Sequence, residues 1–156
     1  MERKPYGESF KNDIRIDRFQ LDVEVEKQPS LMQFYSESLA EAKAMKDEAK
    51  NKLEFVLASR DLYYRANPIE GIKVTESSIA SMVTTDAEVV QAKEREQQAK
   101  ERTYFLESAV ATIEDRKSEL KNLTSLWIGG YYALPGAERT DRSALLRNNL
   151  LNGREE

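Results

Sequence analysis

The sequence predicts an all-α protein: a long antiparallel helical hairpin, coiled-coil-like, that carries an extended N-terminal arm and self-assembles into an oligomer. Two long runs, 29–67 and 85–128, place apolar residues at steps of three and four, the spacing of one helical face. A break that contains Asn67-Pro68 and Gly71 separates the runs. Charged residues make up 33% of the chain, and it has only 6 Gly and 4 Pro, which favours long solvated helices.

The predicted arm comprises residues 1–28. Its apolar residues recur mostly at every second position with polar residues between them, which indicates extended structure. They are Ile14, Ile16, Phe19, Leu21, Val23 and Val25. Because a lone strand is marginally stable in water, the arm must pack on something. It lies either along the helices of its own chain or against a neighbouring subunit.

The hairpin itself is predicted over residues 29–135. Its first helix begins either with Ser30 as the N-cap, whose hydroxyl can accept a free backbone N–H, or with Pro29 in the first turn, where a missing N–H costs nothing. The helix ends at Asn67, since a residue that precedes proline is pushed out of the α region. Its apolar stripe comprises Leu31, Tyr35, Leu39, Ala42, Met45, Ala49, Leu53, Val56 and Tyr63.

A short helix is predicted between the two long ones, over residues 73–83, with Thr75 as its N-cap. The second long helix opens at 85–88, where a threonine is followed three residues later by a glutamate, the spacing of a capping box. Gly129 suits the left-handed position at which such a helix ends. The sequence thus supplies start and stop signals for both elements.

The ends of the chain show no targeting or membrane signal. The N-terminus does not resemble a signal peptide, and the longest charge-free stretch, 122–137, contains Gly and Pro and is shorter than a bilayer span. The apolar segment 131–135 should pack back onto the hairpin. The polar tail, 136–156, is either flexible or a docking peptide. We therefore expect a soluble protein of the cytoplasm.

The composition leaves little chemistry for a catalytic site. The chain has no Cys and no His, which removes cysteine nucleophiles, thiolate metal ligands and the commonest general base. Gly129-Gly130 lacks the further Gly or Lys of a phosphate-binding loop. Asp13 and Asp17 could form a carboxylate site, but solvated charge is the simpler interpretation because no metal-ligand spacing accompanies them. We predict no enzyme activity, no metal and no cofactor.

Aromatic residues exceed what a single seam between two helices can bury. Those in the hairpin are Phe34, Tyr35, Phe55, Tyr63, Tyr64, Tyr104, Phe105 and Trp127. Apolar stripes left exposed by one chain are usually buried against another. The sequence therefore predicts a homo-oligomer. Its expected contact residues are Leu31, Tyr35, Leu53, Leu106, Ile113 and Trp127.

Basic residues beside aromatic ones form the only pattern that suggests a ligand. The net charge of −4 argues against a strongly basic nucleic-acid binder, yet phosphate contacts depend on where the cations lie. Cations can neutralise phosphates and aromatic faces can stack unpaired bases. The candidates are Arg60, Tyr64 and Arg65 in the first helix and Arg116, Lys117 and Lys121 in the second. From spacing alone, core tyrosines and solvated charges are the simpler interpretation.

Several short motifs occur in the order and spacing of a known family. They are DIRID at 13–17, RDLYY at 60–64, IEDRK at 113–117 and GYY at 130–132. Together with scattered matches between them, they span residues 11–133. The chain in this range resembles the phage UvsY-type recombination mediators.

The resemblance implies a partner set and a role. Proteins of this family bind single-stranded DNA as ring-like oligomers and help a RecA-like recombinase replace the single-strand-binding protein on it. By resemblance, DNA contact becomes the favoured interpretation of the six candidate residues, in the cytoplasm of an infected bacterial host. The acidic composition and the tail after Gly136 depart from the family pattern. The alternative is a phage structural or scaffolding helical protein that self-assembles without binding DNA.

Overall fold

The computed structural model describes residues 7–68 and 74–131, which contain helices and no strands. The helices are α1 (Glu8–Asp13), α2 (Leu21–Ala66), α3 (Glu76–Thr85) and α4 (Ala87–Ile128). The chain divides after Leu120 into two compact units. The prediction of an all-α architecture is confirmed.

Helices α2 and α4 run antiparallel, because residues early in α2 contact residues late in α4. The Gln28 side-chain amide donates to the Ile113 carbonyl at 2.7 Å, and the Thr103 hydroxyl donates to the Ala42 carbonyl at 3.2 Å. Buried residues of α2 alternate in steps of four and three, the spacing of a coiled-coil seam. They include Glu24, Gln28, Leu31, Tyr35, Ser38 and Ala42.

One core cluster lies where α1 packs against the hairpin. Its buried residues are Leu31, Tyr35, Ala42, Leu106, Ala109 and Ile113. Phe10 of α1 meets Tyr35 and Phe105 edge-on, with ring centroids 5.6 and 5.5 Å apart. The Tyr35 side chain is fully buried, and its hydroxyl donates to the Asp13 carboxylate at 2.8 Å. These contacts hold the N-terminal segment on the hairpin.

A second core cluster lies where α3 packs against α2 and α4. Its buried residues are Val56, Ile79, Val83, Val89 and Ala92. Helix α3 begins with a capping box, in which the Ser78 N–H donates to the Thr75 hydroxyl at 3.1 Å and the Thr75 N–H donates to the Ser78 hydroxyl at 2.9 Å. The prediction of Thr75 as an N-cap is confirmed.

The N-terminal arm differs from the predicted extended structure. Residues 8–13 are helical, and α2 begins at Leu21, so that Pro29 lies inside the helix rather than at its start. Of the described part of the arm, residues 14–20 lie outside the helices. The apolar alternation misleads here because Val23 and Val25 are exposed. The neighbouring polar residues face α4 instead.

The start of α4 also lies one residue later than expected. Thr85 is the last residue of α3, and its hydroxyl donates to the Ser81 carbonyl at 3.0 Å. The cap is Asp86, whose carboxylate accepts the Glu88 N–H at 2.9 Å. A carboxylate at this position satisfies a free N–H and also interacts favourably with the helix dipole.

The second unit contains the end of α4. The Gly130 N–H donates to the Trp127 carbonyl and the Tyr131 N–H donates to the Leu126 carbonyl, both at 3.1 Å, which is a Schellman motif. The left-handed residue is Gly130, with φ 71°, and not Gly129 as predicted. The predicted segment 132–135, the tail and Gly71 lie outside the described residues. No described helix combines the length and apolar character that crossing a bilayer requires.

Candidate nucleic-acid interface

Arg60 lies at the corner where α2 approaches the start of α4. Its guanidinium forms ion pairs with Glu88 and with Asp86, the latter at 3.4 Å from Nε to Oδ1. The same guanidinium lies 5.5 Å from the centre of the Tyr63 ring. Tyr63 is half exposed, and Leu62 beside it is more exposed still. A cation, 23% exposed, therefore lies beside an accessible ring at this corner.

Tyr64 points the other way, into the second core cluster. Its hydroxyl donates to the Asp86 carboxylate at 2.8 Å. That hydrogen bond raises the pKa of Tyr64 and lowers the pKa of Asp86, which also accepts backbone N–H groups and feels the charge of Arg60. Tyr64 thus fixes the junction of the helices. Tyr63 presents the open ring that the sequence analysis assigned to Tyr64.

Arg65 is exposed and held by two carboxylates. It donates to Asp61 at 2.7 Å and to both oxygens of Glu76 at 2.8 Å. These hydrogen bonds lower the pKa of Asp61 and of Glu76 and raise the pKa of Arg65. Ion pairs between solvent-exposed side chains contribute little, about 0–1 kcal/mol, so a phosphate can compete for this guanidinium.

Arg116 is enclosed in the fold. Its side chain is 3% exposed, and it bonds the Glu24 carboxylate and the Gln28 side-chain carbonyl. It also donates to the Arg15 carbonyl at 3.3 Å. This arginine connects α4, α2 and the segment after α1. With its guanidinium held in this way, it has no surface to offer a phosphate.

The two predicted lysines are accessible. Lys117 of α4 is exposed and forms no ion pair among the residues that the structure describes. In the second unit, Lys121 is likewise exposed, and no carboxylate of the described residues pairs with it. Unlike the arginines, each lysine presents a free ammonium group.

Most of the residues predicted to mediate self-association belong to the core of a single chain. Leu31, Tyr35, Leu106 and Ile113 are buried in the first core cluster, which leaves them no side-chain surface for a neighbour. Leu53 is half-buried against the second cluster. Trp127, in the second unit, is 41% exposed.

The exposed aromatic residues of α2 and α4 lie outside the seam. In the first unit they are Phe55, Tyr63, Tyr104 and Phe105. Each of them is next in the chain to a residue that packs into the core, so spacing alone does not separate the exposed rings from the buried seam until the partner helix is known.

The comparisons with known proteins agree with this architecture. The family model described as "Recombination, repair and ssDNA binding protein UvsY" matches residues 9–127. A crystal structure of the bacteriophage T4 recombination mediator protein UvsY (lattice type IV) superposes with a TM-score of 0.68 at 17% identity, covering 78% of this chain and 92% of that one. Its lattice type I form gives 0.67 at 18% identity, covering 78% and 95%.

The lattice type II form of the same T4 protein also gives a TM-score of 0.67 at 18% identity, covering 80% of this chain and 93% of that one. Among curated protein sequences no match is found. The three superpositions establish that the fold is shared, and the family model spans more than half of the chain. The chain belongs to the UvsY family.

Proposed function

We propose that this protein is a recombination mediator that binds single-stranded DNA as a homo-oligomer and helps a RecA-like recombinase to replace the single-strand-binding protein. The observation that carries the proposal is the corner at which the Arg60 guanidinium lies 5.5 Å from the centre of the half-exposed Tyr63 ring. A cation beside an open aromatic face suits a phosphate and an unpaired base together. The description of the family supports the same ligand.

The corner supplies two cations that a DNA phosphate can recruit. Arg65 is held only by exposed carboxylates. Arg60, which is 23% exposed, forms an ion pair with Glu88, a carboxylate that is itself exposed. When a phosphate takes the place of such a carboxylate, one charge-assisted hydrogen bond substitutes for another. The acidic partners therefore tune affinity without excluding DNA.

The remaining predicted residues divide between contact and support. Lys117 and Lys121 are exposed and are proposed as further phosphate contacts. Arg116 is proposed as a positioning residue, because it holds α2 and α4 in register from inside the fold. Tyr64 has a similar role through Asp86.

Self-association would allow weak contacts between each protomer and DNA to add up to stable binding. The accessible cations of a single protomer are dispersed along a chain whose net charge is −4. When several linked protomers bind one strand, each later contact forms at a high effective concentration, so the overall affinity exceeds that of a single protomer. The exposed Leu126, Trp127 and Ile128, at the end of α4, are among the apolar groups available for contacts between copies. A mediator of this kind requires no catalytic residue.

Arg65 and its partner Glu76 provide the test of the corner. Arg65→Gln should weaken binding of fluorescent oligo(dT) and lower the slope of log K against log salt by about 0.7 per protomer contact. Glu76→Gln removes a competing carboxylate and should strengthen binding by up to about fivefold.

The matched control for Glu76→Gln is Glu94→Gln, which removes an equal charge from an exposed glutamate of α4 that forms no ion pair with a described residue. Both wild type and the Glu94→Gln variant should bind more weakly than Glu76→Gln. If Glu76→Gln and Glu94→Gln bind identically and Arg65→Gln binds like wild type, the corner does not contact DNA.

A phage structural or scaffolding protein is the second candidate. The observation in its favour is that Arg60, Arg65 and Arg116 are all paired with carboxylates of their own chain. That function predicts oligomers whose mass is independent of DNA and which have no salt-sensitive affinity for oligonucleotides.

A further inference from the structure

A groove runs along the hairpin between α2 and α4 and ends at the Arg60 corner, where Glu88 borders both. The α2 side is formed by Met45, Glu48, Ala49, Lys52, Phe55, Val56 and Ser59. The α4 side is formed by Glu88, Gln91, Ala92, Arg95, Gln98, Ala99 and Arg102. The groove is open because its floor uses alanines at Ala49, Ala92 and Ala99, where larger side chains would fill the seam.

The groove is locally basic on an acidic chain. Its lining has three cations, Lys52, Arg95 and Arg102, against two carboxylates, and one of these, Glu88, already pairs with Arg60. Among the residues that the structure describes, neither Lys52 nor Arg95 has a carboxylate within ion-pair distance. Its charge therefore suits an anionic occupant.

Arg102 provides a second indication of an absent partner. Its Nε is buried without a hydrogen-bond partner, and its Nη1 approaches only the Met45 sulfur, at 3.7 Å. A thioether is a weak acceptor, so in the described part of the chain the buried Nε–H of this guanidinium has no partner and Nη1 has only a weak one. Buried polar groups in folded proteins almost always have partners. A phosphate oxygen is an acceptor that guanidinium groups bind well.

Phe55 adds an aromatic platform at the edge of the groove. It is 65% exposed, and the Lys52 ammonium lies 5.4 Å from its ring centre. The arrangement repeats that of Arg60 and Tyr63, two turns further along the same helix. In both places a cation borders an open ring, which is the pairing that stacks a base and neutralises its phosphate.

We propose that this groove holds a segment of single-stranded DNA, with phosphates on Lys52, Arg95 and Arg102 and a base stacked on Phe55. The proposal deepens the function proposed above and rests on it. From Met45 to Ser59 the groove follows α2 for about 21 Å at 1.5 Å per residue. At about 3.4 Å per nucleotide along one strand, that length accommodates up to about six nucleotides.

A helix from a second copy of the chain is the competing occupant. An apolar helix face laid into the groove would bury Lys52 and Arg95 without counter-charges, and such burial is strongly unfavourable. A nucleic acid strand brings one negative charge with every nucleotide. Charge complementarity therefore selects the strand.

The test compares two double variants with the same change in charge. Lys52→Gln with Arg95→Gln removes the unpaired cations of the groove. Lys50→Gln with Lys93→Gln removes one cation from each of the same helices outside it. For oligo(dT), the groove variant should lower the slope of log K against log salt by about 1.4 per protomer, at 0.7 for each phosphate contact, and the control should leave it near the wild-type value.

Phe55 supplies an independent readout. With Trp127→Phe removing the only native indole, Phe55→Trp introduces a reporter whose emission should be quenched by oligo(dT). The same reporter introduced as Tyr104→Trp, outside the groove, should not respond. Phe55→Ala should weaken binding roughly 5- to 150-fold, the range measured for loss of one stacking platform.

Helicity and oligomer mass are measured for every variant, so that a folding or assembly defect is recognised. If wild type binds oligo(dT) but the groove and control variants share its salt slope, the groove proposal is overturned and the proposed function stands. If the groove variant changes the oligomer mass and not the slope, the groove is an interface between copies and the proposal is again overturned. If wild type fails to bind, both proposals fall.

Discussion

The buried contact of Arg116 with Glu24 yields the most quantitative prediction of stability. The Glu24 and Arg116 side chains are 10% and 3% exposed, and Gln28 joins them. Arg116→Met keeps much of the apolar volume of the arginine stem but leaves the Glu24 carboxylate with only the half-exposed Lys27 ammonium, at 3.4 Å, as its counter-charge. Removing one partner of a buried ion pair costs about 3–5 kcal/mol. Because Lys27 remains, we expect a loss in the free energy of unfolding at the lower end of that range.

Such a loss is a large fraction of the roughly 5–15 kcal/mol that stabilises a typical domain. Urea denaturation followed by far-ultraviolet circular dichroism measures it, at one fixed protein concentration because assembly contributes to apparent stability. A double variant, Glu24→Gln with Arg116→Met, removes the stranded charge as well. It should lose less than Arg116→Met alone.

Either of two results would refute a stabilising contact between Arg116 and Glu24. The first is an Arg116→Met variant that loses less than about 1 kcal/mol. The second is a double variant whose loss equals the sum of the two single losses, because additivity means that the residues do not interact. Normal stability combined with weakened DNA binding would restore Arg116 to the set of DNA contacts.

Three further predictions concern acid stability and the ends of helices. The pKa of Asp61 and of Glu76 is lowered chiefly by hydrogen bonds from Arg65, and that of Asp86 chiefly by the hydrogen bond from Tyr64. In acid the unfolded chain therefore binds more protons than the folded chain does. The stability that these carboxylates contribute above about pH 4 should be lost as the pH falls below that value. Asp86→Asn should make stability depend less on pH in denaturation curves measured between about pH 2 and 6. Thr75→Ala removes the capping hydroxyl of α3 and should cost about 0.5–2 kcal/mol in urea denaturation. Gly130→Ala places a side chain at φ 71° and should lower the melting temperature, at a cost of about 1–2 kcal/mol.

The hairpin was predictable because its seam uses apolar residues over most of its length. Leu31, Tyr35 and Ala42 on α2 continue one helical stripe, and the structure buries them. The start of α2 was not predictable in the same way. There the seam positions are Glu24 and Gln28, whose polar side chains are typical of a solvated face. Only the structure places Arg116, 92 residues from Glu24, opposite them. Their bonds to α4 allow the helix to continue through Pro29 despite its missing N–H.

The candidate interface shows the same limit. A sequence identifies cations and aromatic rings but not which of them are accessible. Arg116 and Lys117 are adjacent cations that the sequence does not tell apart, yet Arg116 is buried and Lys117 is exposed. Likewise Tyr63 and Tyr64 are neighbours that face opposite environments. The unpaired, buried Nε–H of Arg102 depends on what the opposite helix leaves open, which no local pattern encodes.

The central claim is that this hairpin binds single-stranded DNA as an oligomer. Titration of fluorescent oligo(dT) with the wild-type chain at about 50 and 200 mM salt, with mass measured by light scattering in the same samples, tests it most directly. We predict a complex that contains several protomers and whose affinity falls steeply between the two salt concentrations. Oligomers that show no affinity for the oligonucleotide, or an affinity that salt does not change, would contradict the account.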